Sequence, residues 1–243
     1  MIAFSGNYTF LRLMLAMAVW GGLFLPYCGA PAFGQAATDI VVVDPGHGGP
    51  DRGAVGDNGL VEKSVSLALA ESLGSLTDRG FQAKLIRTGD YHIPLQRRTG
   101  MANHLNARAF VSIHTGGSFH RQAQGMTVYY YDRDEQALDL RDRGSFETSA
   151  VPWETVQERH RQKSRRFAER IKSRLEALPG ETPVQCRVVA APMAVLAGAD
   201  MPAVLIEVGY IQNARDSRRF QDKGLVAMAG AIAAAIGEFL QEP

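Results

Sequence analysis

Short β-branched runs alternate along this chain with stretches of helical period, and nothing else in the sequence narrows the fold as far. Ile40-Val-Val-Val-Asp44 ends at a Gly-rich turn and reads as a buried strand. Val65, Leu69, Leu73 and Leu76 then recur at helical spacing, with Gly80 as the expected C-terminal cap. Phe81 to Arg87 reads as the next strand, and Pro94 to Asn106 as a helix with proline near its start. Phe110-Val-Ser-Ile-His114 and Met126 to Tyr131 read as two more strands. A basic helix over roughly Glu154 to Leu178, a strand at Val204-Leu-Ile-Glu-Val208 and an Ala-rich helix from Leu225 to Leu240 complete the series. This order predicts an α/β fold: a single layered domain with a mostly parallel or mixed central sheet flanked by helices. A chain of 243 residues can build one such core without disulfides.

Residues 1–37 stand apart, with Arg12 as their one charge. Leu13 to Leu25 is uncharged and mostly apolar, Pro26 breaks the run, and small residues follow at Gly29, Ala30, Ala32, Gly34, Ala36 and Ala37. That is the layout of a signal peptide cleaved near 32–37, and it implies export to a periplasm or cell-wall space. An uncleaved anchor helix is the alternative. Tyr27 is bulky where a lipidation signal wants a small residue, which argues against a lipid on Cys28.

Without Arg12, the 26 Lys+Arg of the whole chain fall by one and meet 25 Asp+Glu. A net charge near zero argues against a nucleic-acid binder. Cys186 would be the only cysteine left, so no internal disulfide is expected and Cys186 reads as a small buried hydrophobe. The charge-free run Gly224 to Gly237 has only 14 residues, so the last helix is expected in the core and no membrane span is expected in the mature chain. Asp132 to Lys163, dense in charge around Trp153, reads as an inserted segment within a domain covering 38–243.

Sites in α/β sheets form at the carboxyl ends of strands. One predicted strand runs into Asp44-Pro-Gly-His47, another ends at His114, and a third carries Glu207 within an apolar run. A carboxylate in such a run is costly to bury unless paired or metal-bound. Two histidines and a carboxylate form the ligand set of a catalytic zinc site. His47 and His114 are the natural histidines, and Glu62 is the best carboxylate, at the start of the helix after the loop Gly53 to Gly59. Glu207 would then be free to take a proton from water. In the competing reading, His47 makes a turn hydrogen bond and His114 is a satisfied core histidine.

Five segments recur in a recognisable order. They are Val41 to Gly49, Asp51 to Glu62, Thr88 to Asp90 with Leu95, Arg98, Ala102 and Asn103, then Val111 to His114, and Pro202 to Asn213. Together they resemble the zinc-dependent N-acetylmuramoyl-L-alanine amidases of the amidase 3 type, over about Ile40 to Leu240. The resemblance implies Zn²⁺ held by His47, Glu62 and His114, with Glu207 as catalytic base. It also implies hydrolysis of the amide joining N-acetylmuramic acid to L-alanine in peptidoglycan. The chain departs from the family pattern at Thr115-Gly116, where Ala-Asn is usual, at Tyr210 in place of Phe, and at Gln212 in place of a small hydroxyl residue.

Arg98, Arg187 and Asn213 are candidates for substrate contact, and Arg98 has pairing with a nearby carboxylate as its alternative. Eight Lys/Arg from Arg159 to Arg174 read as a solvated face over a stripe of Phe167, Ile171, Leu175 and Leu178, or as a patch for anionic wall polymer. Some relatives carry a blocking helix where 132–163 lies, one that supplies a glutamate to the metal. Glu147, Glu154 and Glu158 are the candidates here, against a surface loop that only shapes the groove. Targeting to the wall falls to the catalytic domain or to an activator or targeting protein. The rival functions are a zinc peptidase acting on another amide and an inactive wall-binding relative. The presence of all four polar residues speaks against the second.

Overall fold

The valines of β1 (Asp39–Pro45) serve two cores at once, because successive strand side chains point to opposite faces. Val41 and Val43 enter one hydrophobic cluster and Val42 the other. A strand covered on both sides has no polar face, which is why this run is apolar without alternation. The structure is a computed structural model that describes residues 38–76, 80–118, 120, 122–133, 153–180 and 183–242. The expected signal peptide, its cleavage zone and most of the expected insertion lie outside the described residues.

After β1 come α1 (Glu62–Gly74), β2 (Phe81–Leu85), α2 (Leu95–His104), β3 (Ala109–Gly116) and β4 (Met126–Tyr131). A 3₁₀ segment, Trp153–His160, leads into α3 (Arg161–Glu176), followed by β5 (Cys186–Ala191), α4 (Ala194–Ala197) and β6 (Ala203–Tyr210). α5 (Ala214–Ser217) and α6 (Asp222–Leu240) close the chain. The sheet order is β2-β1-β3-β6-β4-β5. All neighbouring pairs are parallel except β4 with β6, so the sheet is mixed.

Helices cover both faces. Leu69 and Leu73 of α1, Phe167 and Ile171 of α3, and Ile232 and Ile236 of α6 pack on one side, and Phe167 stacks on Phe239 at 4.5 Å. Ala102 of α2 and Leu196 of α4 cover the other side with Phe110 and Leu205. Each fully buried Leu or Ile contributes about 1.5–3 kcal/mol against exposure. α6 is long and apolar enough to cross a membrane by length and composition. Its Leu225, Met228, Ala229, Ile232, Ala233, Ile236 and Phe239 are nevertheless buried in the larger core, as expected of a core helix.

Several elements differ from the sequence reading. α1 stops at Gly74, not at Gly80; a Cβ at Gly74 would meet Leu85 at 2.9 Å, so the helix end approaches β2 closely. Gly80 instead turns the chain into β2 with φ +77. The basic helix begins at Arg161, because Gln157 ties the preceding 3₁₀ segment to the carbonyls of Ala199 and Met201. Strand β2 ends at Leu85, and Arg87 leaves it to become fully buried. β5 has no counterpart in the sequence reading.

Candidate metal centre

His47 follows β1 in the left-handed region, φ 61, which is rare outside glycine. Its Nδ1 lies 2.9 Å from Asp51 Oδ2. A carboxylate only accepts, so Nδ1 carries the proton and Nε2 is aimed elsewhere. Nε2 lies 3.1 Å from Glu62 Oε1. His114, near the end of β3, brings Nδ1 to 3.0 Å from the same oxygen. The two imidazoles meet edge to face, with centroids 4.9 Å apart. One donor atom from each of His47, Glu62 and His114 falls within 4.8 Å of the others.

Glu62 opens α1, where the helix N-terminus favours negative charge. It also accepts backbone N–H groups from Ala54 (2.8 Å) and Thr115 (2.9 Å). Burial alone would raise its pKa, but His114, His47 and Ala54 hold the carboxyl well below the ordinary range. Burial likewise disfavours a charged His47, yet Glu62 and Asp51 outweigh it and hold that ring's pKa above 6.5.

Glu207 sits directly opposite His114 in the β3–β6 register. Tyr129 of β4 donates its hydroxyl to Glu207 Oε2 at 3.3 Å. Burial pushes the Glu207 carboxyl above 4.5, against smaller lowering contributions from Tyr129 and His114. The row continues through Thr127 of β4, paired with Glu207, to Arg187 of β5, paired with Thr127. Arg187 is exposed, and its Nε donates to Thr127 Oγ1 at 3.1 Å.

The other two candidates for substrate contact are occupied within the fold. Arg98 is 3% exposed and ion-paired with Asp44 at 2.7 Å, so its pairing alternative is the one realised. Asn213 caps α5: its Oδ1 accepts from the backbone N–H groups of Arg215 and Asp216. His92, His104, His120 and His160 do not join the cluster, and His160 pairs with Asp200. Glu147 and the side chain of Glu154 lie outside the described residues, while Glu158 is exposed.

Asp51 and Tyr129 were missed by sequence reasoning. Asp51 carried a signal, a carboxylate four residues after His47 in a glycine-rich turn. Tyr129 had none, since its role depends on the antiparallel joint of β4 with β6.

Two of the departures from the family pattern, Gly116 and Tyr210, meet in space. A Cβ at Gly116 would meet the Tyr210 ring at 2.9 Å, so the small residue accommodates the tyrosine. Gln212 accepts from Ser118 N and donates to Val55 O, both at 3.3 Å, joining the two loops beside them. The Thr115 hydroxyl is buried without a hydrogen-bond partner.

Comparison with known proteins agrees with this geometry. A family model described as N-acetylmuramoyl-L-alanine amidase, Amidase_3, matches residues 41–238. The N-acetylmuramoyl-L-alanine amidase AmiA of Escherichia coli (strain K12) is 31% identical over 218 residues, covering 82% of this chain and 74% of that protein. The structure of the amidase AmiC2 of Nostoc punctiforme superposes with a TM-score of 0.68 at 31% identity, covering 84% of this chain and 98% of that one. The catalytic domain of CwlV, the amidase from Bacillus (Paenibacillus) polymyxa var. colistinus, gives a TM-score of 0.60 at 28% identity, covering 83% and 98%. With residues 41–238 matched and the fold shared, the chain belongs to the Amidase_3 family of N-acetylmuramoyl-L-alanine amidases.

Proposed function

We propose that this chain is an exported, zinc-dependent enzyme that cuts the amide between N-acetylmuramic acid and L-alanine in peptidoglycan, with His47, Glu62 and His114 as ligands and Glu207 as base. The observation that carries the reading is the meeting of those three donor groups, with Glu207 in register beside His114.

Two imidazoles and one carboxylate are a donor set that suits zinc. Held by His47, Glu62 and His114, a zinc ion would acidify water and polarise the scissile carbonyl. Asp51 fixes the tautomer of His47, and the N–H groups of Ala54 and Thr115 fix the Glu62 carboxylate. Glu207 takes the proton of the attacking water and returns it to the leaving amine. Its burial favours the protonated form more than in an ordinary glutamate, which suits a group that must hold that proton between the two steps. Arg187, exposed at the end of the row, binds a carboxylate of the peptide stem. Residues 1–37, read as a signal peptide, support action in the periplasm or cell-wall space, with an activator or targeting protein guiding the enzyme to the wall.

The test is mass spectrometry of fragments released from purified peptidoglycan. Peptides beginning at a free L-alanine amine are expected, with release stopped by a chelator and restored by zinc. Cuts inside the peptide would favour a peptidase, and release indifferent to the chelator would end the metal assignment.

A further inference from the structure

Two buried arginines hold the turn that carries His47. Arg87 is fully buried and donates from Nε to Pro45 O (3.1 Å), and from Nη2 to Gly46 O (2.7 Å) and Lys63 O (2.8 Å). Its Nη1 donates to Gly89 O at 3.1 Å. Arg98 donates from Nη1 to Pro45 O (2.9 Å) and to Asp44 Oδ1 (2.7 Å), and from Nη2 to His47 O (2.8 Å). The carbonyls of three successive residues, 45 to 47, therefore all end on guanidinium protons.

This arrangement exceeds what packing requires. A buried cation is unfavourable unless its protons are satisfied. Among the described residues, Asp44 is the one carboxylate paired with either guanidinium, and its other oxygen accepts the Ser112 hydroxyl. Arg87 is satisfied by backbone carbonyls and the Ser66 hydroxyl instead. What these protons hold is a residue in the left-handed region, a conformation that persists only where its surroundings over-determine it. The planar five-donor fork of arginine fixes the directions of several carbonyls at once, whereas an ammonium offers three rotatable donors on a single nitrogen.

We infer that Arg87 and Arg98 are positioning residues for the metal centre: by binding the carbonyls of Pro45, Gly46 and His47 they set the turn that aims His47 Nε2 at Glu62. The inference rests on the reading of His47 as a zinc ligand. Ser66 belongs to the same device, since its hydroxyl donates to Gly46 O at 3.0 Å and accepts from Arg87 at 3.2 Å.

The test measures zinc dissociation constants by chelator competition, with melting temperatures alongside. The proteins are wild type, Arg87→Lys, Arg98→Lys, Ser66→Ala, His47→Ala and Gln157→Ala. Gln157 is a control, a buried side chain that holds the carbonyls of Ala199 and Met201 before β6 begins, away from His47. The arginine variants should bind zinc about 10- to 100-fold more weakly. Ser66→Ala should weaken zinc by a smaller, measurable factor. Gln157→Ala should lose melting temperature and keep wild-type affinity. Folded lysine variants with wild-type affinity would overturn the inference. Should they fail to fold, wild-type affinity in Ser66→Ala would do the same. If His47→Ala itself binds zinc like wild type, the ligand reading fails, and that outcome is distinct from one in which only the arginine and serine variants are silent.

Discussion

At Gly53 the backbone adopts φ +63, and a Cβ there would come within 2.6 Å of Glu62 Oε2 and 2.7 Å of His47 Nε2. Gly53→Ala would therefore strain the backbone, by about 1–2 kcal/mol for a left-handed residue, and push two donor groups apart. The expected result is a lowered melting temperature with weakened zinc binding, measured by thermal unfolding and chelator competition. Glu207→Gln keeps the shape of the side chain and removes its basicity. It should retain zinc by elemental analysis while turnover on peptidoglycan drops about 100- to 10,000-fold. His47, Glu62 and His114, which the structure brings together, were candidates in the sequence because each stands at a strand end or a helix start, and the family resemblance singled them out over the competing reading. Arg87 was not, since a basic residue after a strand looks the same whether it faces solvent or a row of carbonyls.

Between elements, Asp200 joins the 3₁₀ segment to the loop before β6, pairing with Arg159 and with His160 Nε2 at 3.0 Å. The hydrogen bond from His160, then Arg159, hold its carboxyl below the ordinary value of 3.8 despite partial burial. A lowered folded-state pKa means this stabilisation is present above pH 3.8 and is lost as pH falls through the folded value. The side chain is 46% exposed, so solvent screening keeps the effect small, about 0.2–1 kcal/mol at neutral pH. Asp200→Asn should flatten the acid limb of a stability–pH profile by that amount, measured by urea unfolding from pH 3 to 7. Element existence was legible wherever burial is one-sided or complete, as in β1 and α6. β5 escaped notice because Cys186–Ala191 mixes buried, half-buried and exposed positions without a period. Its partner β4 is set by long-range pairing that no local pattern encodes.

For the molecule as a whole, a metal that binds only the folded chain adds stability by mass action. At free zinc one hundred times its dissociation constant the gain is about 2.7 kcal/mol, or about 5–10 °C in melting temperature. Stripping with chelator should reverse it, and His47→Ala should melt alike with and without zinc. The basic helix shows how whole-chain context sets the meaning of a charge run. Arg161 meets Asp132, Arg170 meets Glu242, Lys172 meets Glu176 and Arg174 meets Glu238, as befits a solvated face. The family and layered architecture were legible from ordered motifs, whereas the strand order, with β6 between β3 and β4, was not.

That order also turns the sheet into a ruler. His114, Glu207, Thr127 and Arg187 occupy adjacent rungs of hydrogen-bonded strands, and rungs are spaced about 4.8 Å apart. The backbone of Arg187 thus stands roughly 10 Å from that of Glu207, a gauge that neither side chain can stretch. With the roles proposed for Arg187 and Glu207, substrates would be sorted by how far their negative group lies from the bond to be cut.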